Sequence, residues 1–108
     1  MAVPPHPVLV TGATGYIGQR LIPALLGRGH AVRALARTGS RDRVPAGAAV
    51  VVGDALDPAS VTAAARVGDT LVHLVGTPHP SPAKATEFQR VDLPSVAASV
   101  AAARDRGA

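Results

Sequence analysis

Eight consecutive residues, Thr11-Gly12-Ala13-Thr14-Gly15-Tyr16-Ile17-Gly18, have the types and spacing to do chemistry. They follow the apolar run Val8-Leu9-Val10 and precede Ile17, Leu21 and Leu25, which recur every four residues as on one face of a helix. A glycine-rich turn between a strand and a helix is a phosphate cradle. Gly12 permits a tight turn off the strand, Gly15 lets a pyrophosphate approach bare backbone, and Gly18 lets the helix pack close to the sheet. The first N–H groups of the helix and its partial positive charge face the same point. Gly12, Thr14, Gly15, Tyr16, Ile17 and Gly18 are therefore candidate residues for a dinucleotide cofactor. A turn without a ligand is the plain alternative.

Arg37 bears on which dinucleotide. It closes a second apolar segment, Ala31 to Ala36, 19 residues past Gly18. An acid near this point would accept from a ribose 2′-OH and favour NAD, whereas an arginine suits the 2′-phosphate of NADP. The expectation is NADP, with NAD possible. Arg41 and Arg43 follow on a loop, where they either add to that pocket or are ordinary solvated charges. Asp54 follows a third strand, Val50 to Val52, at the edge where ligands of open α/β sheets collect, and is otherwise a turn or cap residue. His73 lies inside a fourth strand pattern without a neighbouring acid and reads as structural. His79 lies in a proline-rich loop, Gly76 to Pro82, and no spacing suits a metal.

These residues need a frame. The order of periodic segments is β-α-β-loop-β-α-β-α, short parallel strands joined by crossovers, which is a doubly wound α/β sheet in one domain spanning 1–108. The first helix runs from Tyr16 to Leu26, with a local irregularity expected at Pro23. Asp57 caps a second helix that begins at Pro58 and ends near Arg66. Strand four runs from Thr70 to Val75. A last helix, Thr86 to Arg106, stops at Gly107 and is expected to divide at Pro94 with Asp92 capping the second piece. Apolar residues make up 47% and charged residues 17%, a globular composition. With no cysteine, disulfide frameworks and thiol chemistry are excluded. The formal charge is +4, but the arginines are dispersed and aromatics are 2%, so nucleic-acid binding is not expected. No apolar run reaches the roughly 18 residues of a membrane span, and the first residues lack a signal-peptide pattern, so a cytoplasmic location is expected.

The glycine stretch resembles the short-chain dehydrogenase/reductase superfamily, most of all its extended and atypical members: NAD(P)-dependent epimerases/dehydratases, NmrA-like proteins and relatives of the NADH–ubiquinone oxidoreductase 39 kDa subunit. Gly29 to Arg37, Gly53-Asp54-Ala55-Leu56-Asp57 and Thr70 to Gly76 are similar to the family's second strand, adenine-side loop and fourth strand. The resemblance implies a Rossmann-type sheet in the order 3-2-1-4, as the N-terminal half of the fold. It also implies that Asp54 accepts from the adenine amino group, that Ala55 meets the ring, and that Leu74, Val75 and Gly76 line the ribose. Catalytic members carry a Tyr-x-x-x-Lys pair beyond the fourth helix. Here Tyr16 is the sole tyrosine and Lys84 the sole lysine, so no catalytic residue is assigned. Three readings follow: the N-terminal half of an NAD(P)-dependent oxidoreductase or epimerase, a free-standing NADP-sensing or assembly module, or a remnant. An uncovered fourth strand would invite self-association.

Overall fold

The computed structural model describes residues 4–76 and 81–108. Strands β1 (Pro7–Thr11), β2 (Ala31–Ala36), β3 (Ala49–Val52) and β4 (Thr70–His73) form one parallel sheet in the order β3-β2-β1-β4. This is the four-strand order expected of the N-terminal half of a Rossmann-type sheet. Helices α1 (Tyr16–Gly27) and α2 (Pro58–Ala64) follow β1 and β3, and the β2–β3 crossover holds only a 3-10 turn, Thr38–Arg43. The chain closes with α3 (Ala85–Glu87), a π-helical turn (Phe88–Asp92) and α4 (Leu93–Arg106).

β1 is buried on both faces, which is why its sequence is apolar without alternation. On one side Leu9, Leu35, Val61, Ala64, Ala98 and Ala102 form the core under α2 and α4. Alanines and the buried Ser95 and Ser99 let α4 lie close to the sheet. On the other side Val8, Val10, Ile22, Val32 and Ala34 pack under α1. At the opposite end of the sheet from the glycine turn, Arg33 of β2 pairs with the buried Asp69, which also takes the Arg66 N–H at 2.7 Å. That bond turns the chain out of α2, so the helix ends at Ala64 and not near Arg66.

Several local expectations change. The buried face of α1 is Gly18 and Ile22, with Leu25 and Leu26 partly covered, while Ile17 is 58% exposed. Gly18 sets this rotation. A Cβ there would lie 2.3 Å from the Ala13 carbonyl oxygen, so Gly18 faces the sheet and residues four and eight further on follow it. Pro23 does not interrupt α1. It lies on the exposed side, where water can serve the Gln19 carbonyl that loses its helical donor. The last helical stretch is divided just before Pro94, which falls in the first turn of α4, and Asp92 holds the N-cap position with helical dihedrals and no side-chain cap bond. The π turn Phe88–Asp92 lies directly upstream, so the N–H that Pro94 lacks falls in the first turn of α4, where an α-helix has no i−4 partner of its own. β4 ends at His73: the Leu74 N–H still donates to the Thr11 carbonyl at 2.9 Å, at the last residue of β1, and the backbone of Leu74 and Val75 then passes over Gly12. Two expectations hold in detail. Asp57 accepts from the Ala59 N–H at 3.1 Å as the α2 cap, and Gly107 ends α4 at φ 70°.

Candidate functional site

The carboxyl ends of β1, β2 and β3 open into a cleft of about 290 Å³. Its floor is the glycine turn. Gly12 has φ 72°, and a Cβ on it would come within 2.6 Å of the Leu74 carbonyl carbon. Only glycine fits a left-handed position under a crossing backbone. The Gly15 N–H donates to the Gly12 carbonyl at 3.2 Å, closing the turn. Gly15 then stands at the N-cap of α1 in extended conformation with no side-chain cap, and the first turn of the helix carries no acid. The helix therefore presents its first donors, and the positive end of its dipole, uncompensated. A Cβ on Gly15 would meet nothing closer than 3.5 Å, so the fold itself leaves that side open.

The walls come from the other strand ends. Leu35, Ala36, Ala55, Leu56 and Val75 give an apolar lining, with Arg37, Ser40 and Asp54 as polar groups. The Arg37 guanidinium is 3.6 Å from the Asp54 carboxylate, both side chains being largely in solvent. Asp54 is held by its own loop: its Oδ1 accepts from the Leu56 N–H at 2.9 Å, and its N–H donates to Ser60 Oγ at 3.0 Å.

The residues singled out from the sequence thus divide. Gly12, Thr14, Arg37, Asp54, Ala55 and Val75 line one cleft. Gly15, Tyr16 and Ile17 stand exposed at its helical end, and the Arg20 guanidinium lies 4.4 Å from the Tyr16 ring centroid. Gly18 is buried under α1 and acts on the cleft only through packing. Leu74 differs from expectation. Its side chain packs with the α1-side core, and it reaches the cleft as backbone over Gly12. Gly76 is exposed near Asp92 and Arg41 is exposed on the 3-10 turn, and neither lines the cleft. His79 lies outside the described residues.

Sequence reasoning missed Ser40, Ser60 and Val91. The two serines carry no spacing signal, and Val91 comes from the π turn. His73 joins three elements: its Nδ1 lies 3.3 Å from Thr11 Oγ1 and 3.1 Å from Ser99 Oγ, linking β1, β4 and α4. Burial lowers its pKa, opposed by a backbone hydrogen bond at Val75 and the charge of Asp92. Among the described residues no three His, Asp or Glu side chains converge as a metal site, and no helix is long and apolar enough to cross a membrane.

A parallel sheet in this order, with a glycine turn feeding an uncapped helix at its carboxyl edge, defines a dinucleotide-binding α/β protein. The cradle without Cβ atoms, the uncapped helix and the apolar cleft fit the adenosine and phosphates of such a cofactor. Residues 8–108 match the NAD dependent epimerase/dehydratase family, and the chain belongs to that family as an NAD(P)-binding domain. A 3-diazoavenalumate denitrifying reductase from a Streptomyces species is 40% identical over 102 residues, covering 93% of this chain and 30% of the relative. A glucuronic acid dehydrogenase from Chromohalobacter salexigens superposes with TM-score 0.72 at 26% identity, over 94% of this chain and 37% of that one. A UDP-glucose 4-epimerase, 18% identical, shares the fold at TM-score 0.78 over 93% of this chain and 32% of that one. The chain spans about a third of the length of these proteins.

Proposed function

We propose that this chain binds the adenosine diphosphate portion of NADP(H) in preference to NAD(H). The position of Arg37 carries the reading. It stands at the cleft mouth where β2 ends, beside Ser40, with no acid at the strand's last residue. A guanidinium pairs with a phosphate dianion more strongly than with a ribose hydroxyl. The Gly12–Gly15 turn and the N–H groups of Tyr16 and Ile17 would take the pyrophosphate, with Thr14 at its side. Asp54 and Ala55 would meet the adenine, and Val75 with the Leu74 backbone the adjoining ribose, while Gly76 lies outside the cleft lining. Arg41, exposed on the turn, would add charge without forming the pocket.

The cofactor supplies hydride chemistry, and this chain supplies binding and orientation. We further propose that it works as part of an oxidoreductase or epimerase. The reductase and dehydrogenase among its relatives favour that over a sensing or assembly module. Equilibrium titration with NADPH and NADH tests cofactor choice. Tighter NADPH binding that Arg37→Ala reduces supports the reading. Equal affinities, unchanged by that substitution, contradict it.

A further inference from the structure

Gln19 sits in the first turn of α1, one residue past the glycine that sets the helix against the sheet. Its N–H donates to the Gly15 carbonyl at 3.0 Å, so its backbone is fixed relative to the phosphate turn. Its side chain points elsewhere. The amide Nε2 donates to the main-chain carbonyl of Arg43, 24 residues further on, at the end of the 3-10 turn Thr38–Arg43. A carbonyl only accepts, so the amide nitrogen is the atom that faces it.

That turn holds itself together by short-range bonds. The Ser40 N–H donates to the Arg37 carbonyl at 2.9 Å, and Arg43 Nη2 donates to Ser40 Oγ at 3.0 Å. Ser40 and Arg37 line the cleft. Internal bonds give the turn its shape but do not place it on the body of the protein. Gln19 supplies a tether from the element that frames the phosphate turn. A path of hydrogen bonds then runs from α1 through Arg43 and Ser40 to the backbone of Arg37. Gln19 is exposed and lines no part of the cleft, so nothing in a cofactor needs to touch it.

We infer that Gln19 is a positioning residue for cofactor choice: it holds the Thr38–Arg43 turn so that Arg37 and Ser40 face the 2′ position of the bound nucleotide. The inference rests on the NADP reading above. It adds that discrimination is set partly from α1, by a side chain that contacts no ligand. A merely structural Gln19 would affect both cofactors alike, because NADPH and NADH share everything except the 2′-phosphate.

The test compares NADPH and NADH affinities of the 108-residue chain, its Gln19→Met variant and its Arg37→Ala variant. Methionine keeps the length and helix propensity of glutamine and removes the donor. Gln19→Met should lower the NADPH-over-NADH preference roughly threefold to tenfold, the size of one neutral hydrogen bond, with NADH affinity unchanged. Faster amide exchange at Ser40 should accompany it. An unchanged preference in Gln19→Met, beside a lost preference in Arg37→Ala, overturns the inference and leaves the NADP reading standing. Equal weakening of both cofactors also overturns it, because the role is then general stability. A parent chain with no preference removes the NADP reading and this inference with it.

Discussion

Arg37 and Asp54, 17 residues apart in sequence, meet across the mouth of the cleft with guanidinium and carboxylate 3.6 Å apart. The pair lies just past the paired ends of β2 and β3. It also sets two recognition tasks against each other. A carboxylate beside Arg37 offsets part of the charge that would attract a 2′-phosphate, and it repels the phosphate itself.

Asp54→Asn should therefore shift cofactor choice further towards NADPH. Both side chains are largely exposed, so the pair is screened and modest, and the gain in the NADPH-to-NADH affinity ratio should be about two- to fivefold. Parallel titrations of parent and variant measure it. A ratio that falls would mean that Asp54 supports the phosphate pocket and does not compete with it.

Two glycines of the same turn should fail in different ways. Gly12→Ala forces a side chain into a left-handed position and against the Leu74 backbone, costing about 2–4 kcal/mol of stability. Gly15→Ala meets no such obstacle, at ordinary φ with the nearest atom 3.5 Å away, so its melting temperature should stay near the parent's while cofactor affinity drops. Thermal melts with and without NADPH separate the two. A Gly15→Ala chain that binds normally would show that the ligand does not approach that backbone.

His73 should make the fold weaken in mild acid. Burial holds its folded-state pKa below that of an imidazole in water. The unfolded chain therefore binds more protons between the two values, and stability falls as pH drops through that window. The slope is at most about 1.4 kcal/mol per pH unit. The group is flanked by Thr11 of β1, Ser99 of α4 and the Asp92 carboxylate of the π turn. Urea unfolding across pH 5 to 7.5 should show the slope in the parent chain and a flatter one in His73→Gln.

β4 pairs with β1 along one edge, and no other described strand covers its second edge. Its sequence, Thr-Leu-Val-His, contains no proline or lysine to guard it. Nearby Leu93, Val96 and Val100 of α4 are exposed. We propose that two copies associate through this edge. Light scattering should give a mass that rises with concentration, and Thr70→Lys should suppress it. A parent chain that stays monomeric at high concentration would contradict the proposal.

The parts legible in the sequence are those where one residue type answers one local demand. Gly12 and Gly18 sit where no Cβ fits, Asp57 and Pro58 open α2, and the apolar runs of β1, β2 and β4 mark the strands, while their order β3-β2-β1-β4 is legible only through the family resemblance. What stayed hidden depends on three-dimensional placement. The face of α1 is set by Gly18 against Ala13 and not by the spacing of Ile17, Leu21 and Leu25. The π turn before Pro94 leaves no local signature. The Arg37–Asp54 pair, the buried Arg33–Asp69 pair and the tether from Gln19 each join residues far apart in the chain. Within the site, Ser40 and Ser60 are invisible to spacing because serines are common in loops of every kind.

The most direct measurement is a map of backbone amide shifts as NADPH is added to the isotope-labelled chain. Changes concentrated at Gly12, Gly15, Tyr16 and Ile17, with a second group at Arg37, Ser40, Asp54 and Ala55, are the predicted result. The second group should respond more weakly at Arg37 and Ser40 when NADH replaces NADPH. Shifts that centre elsewhere, or none at cofactor concentrations in the millimolar range, would contradict a dinucleotide site in this cleft.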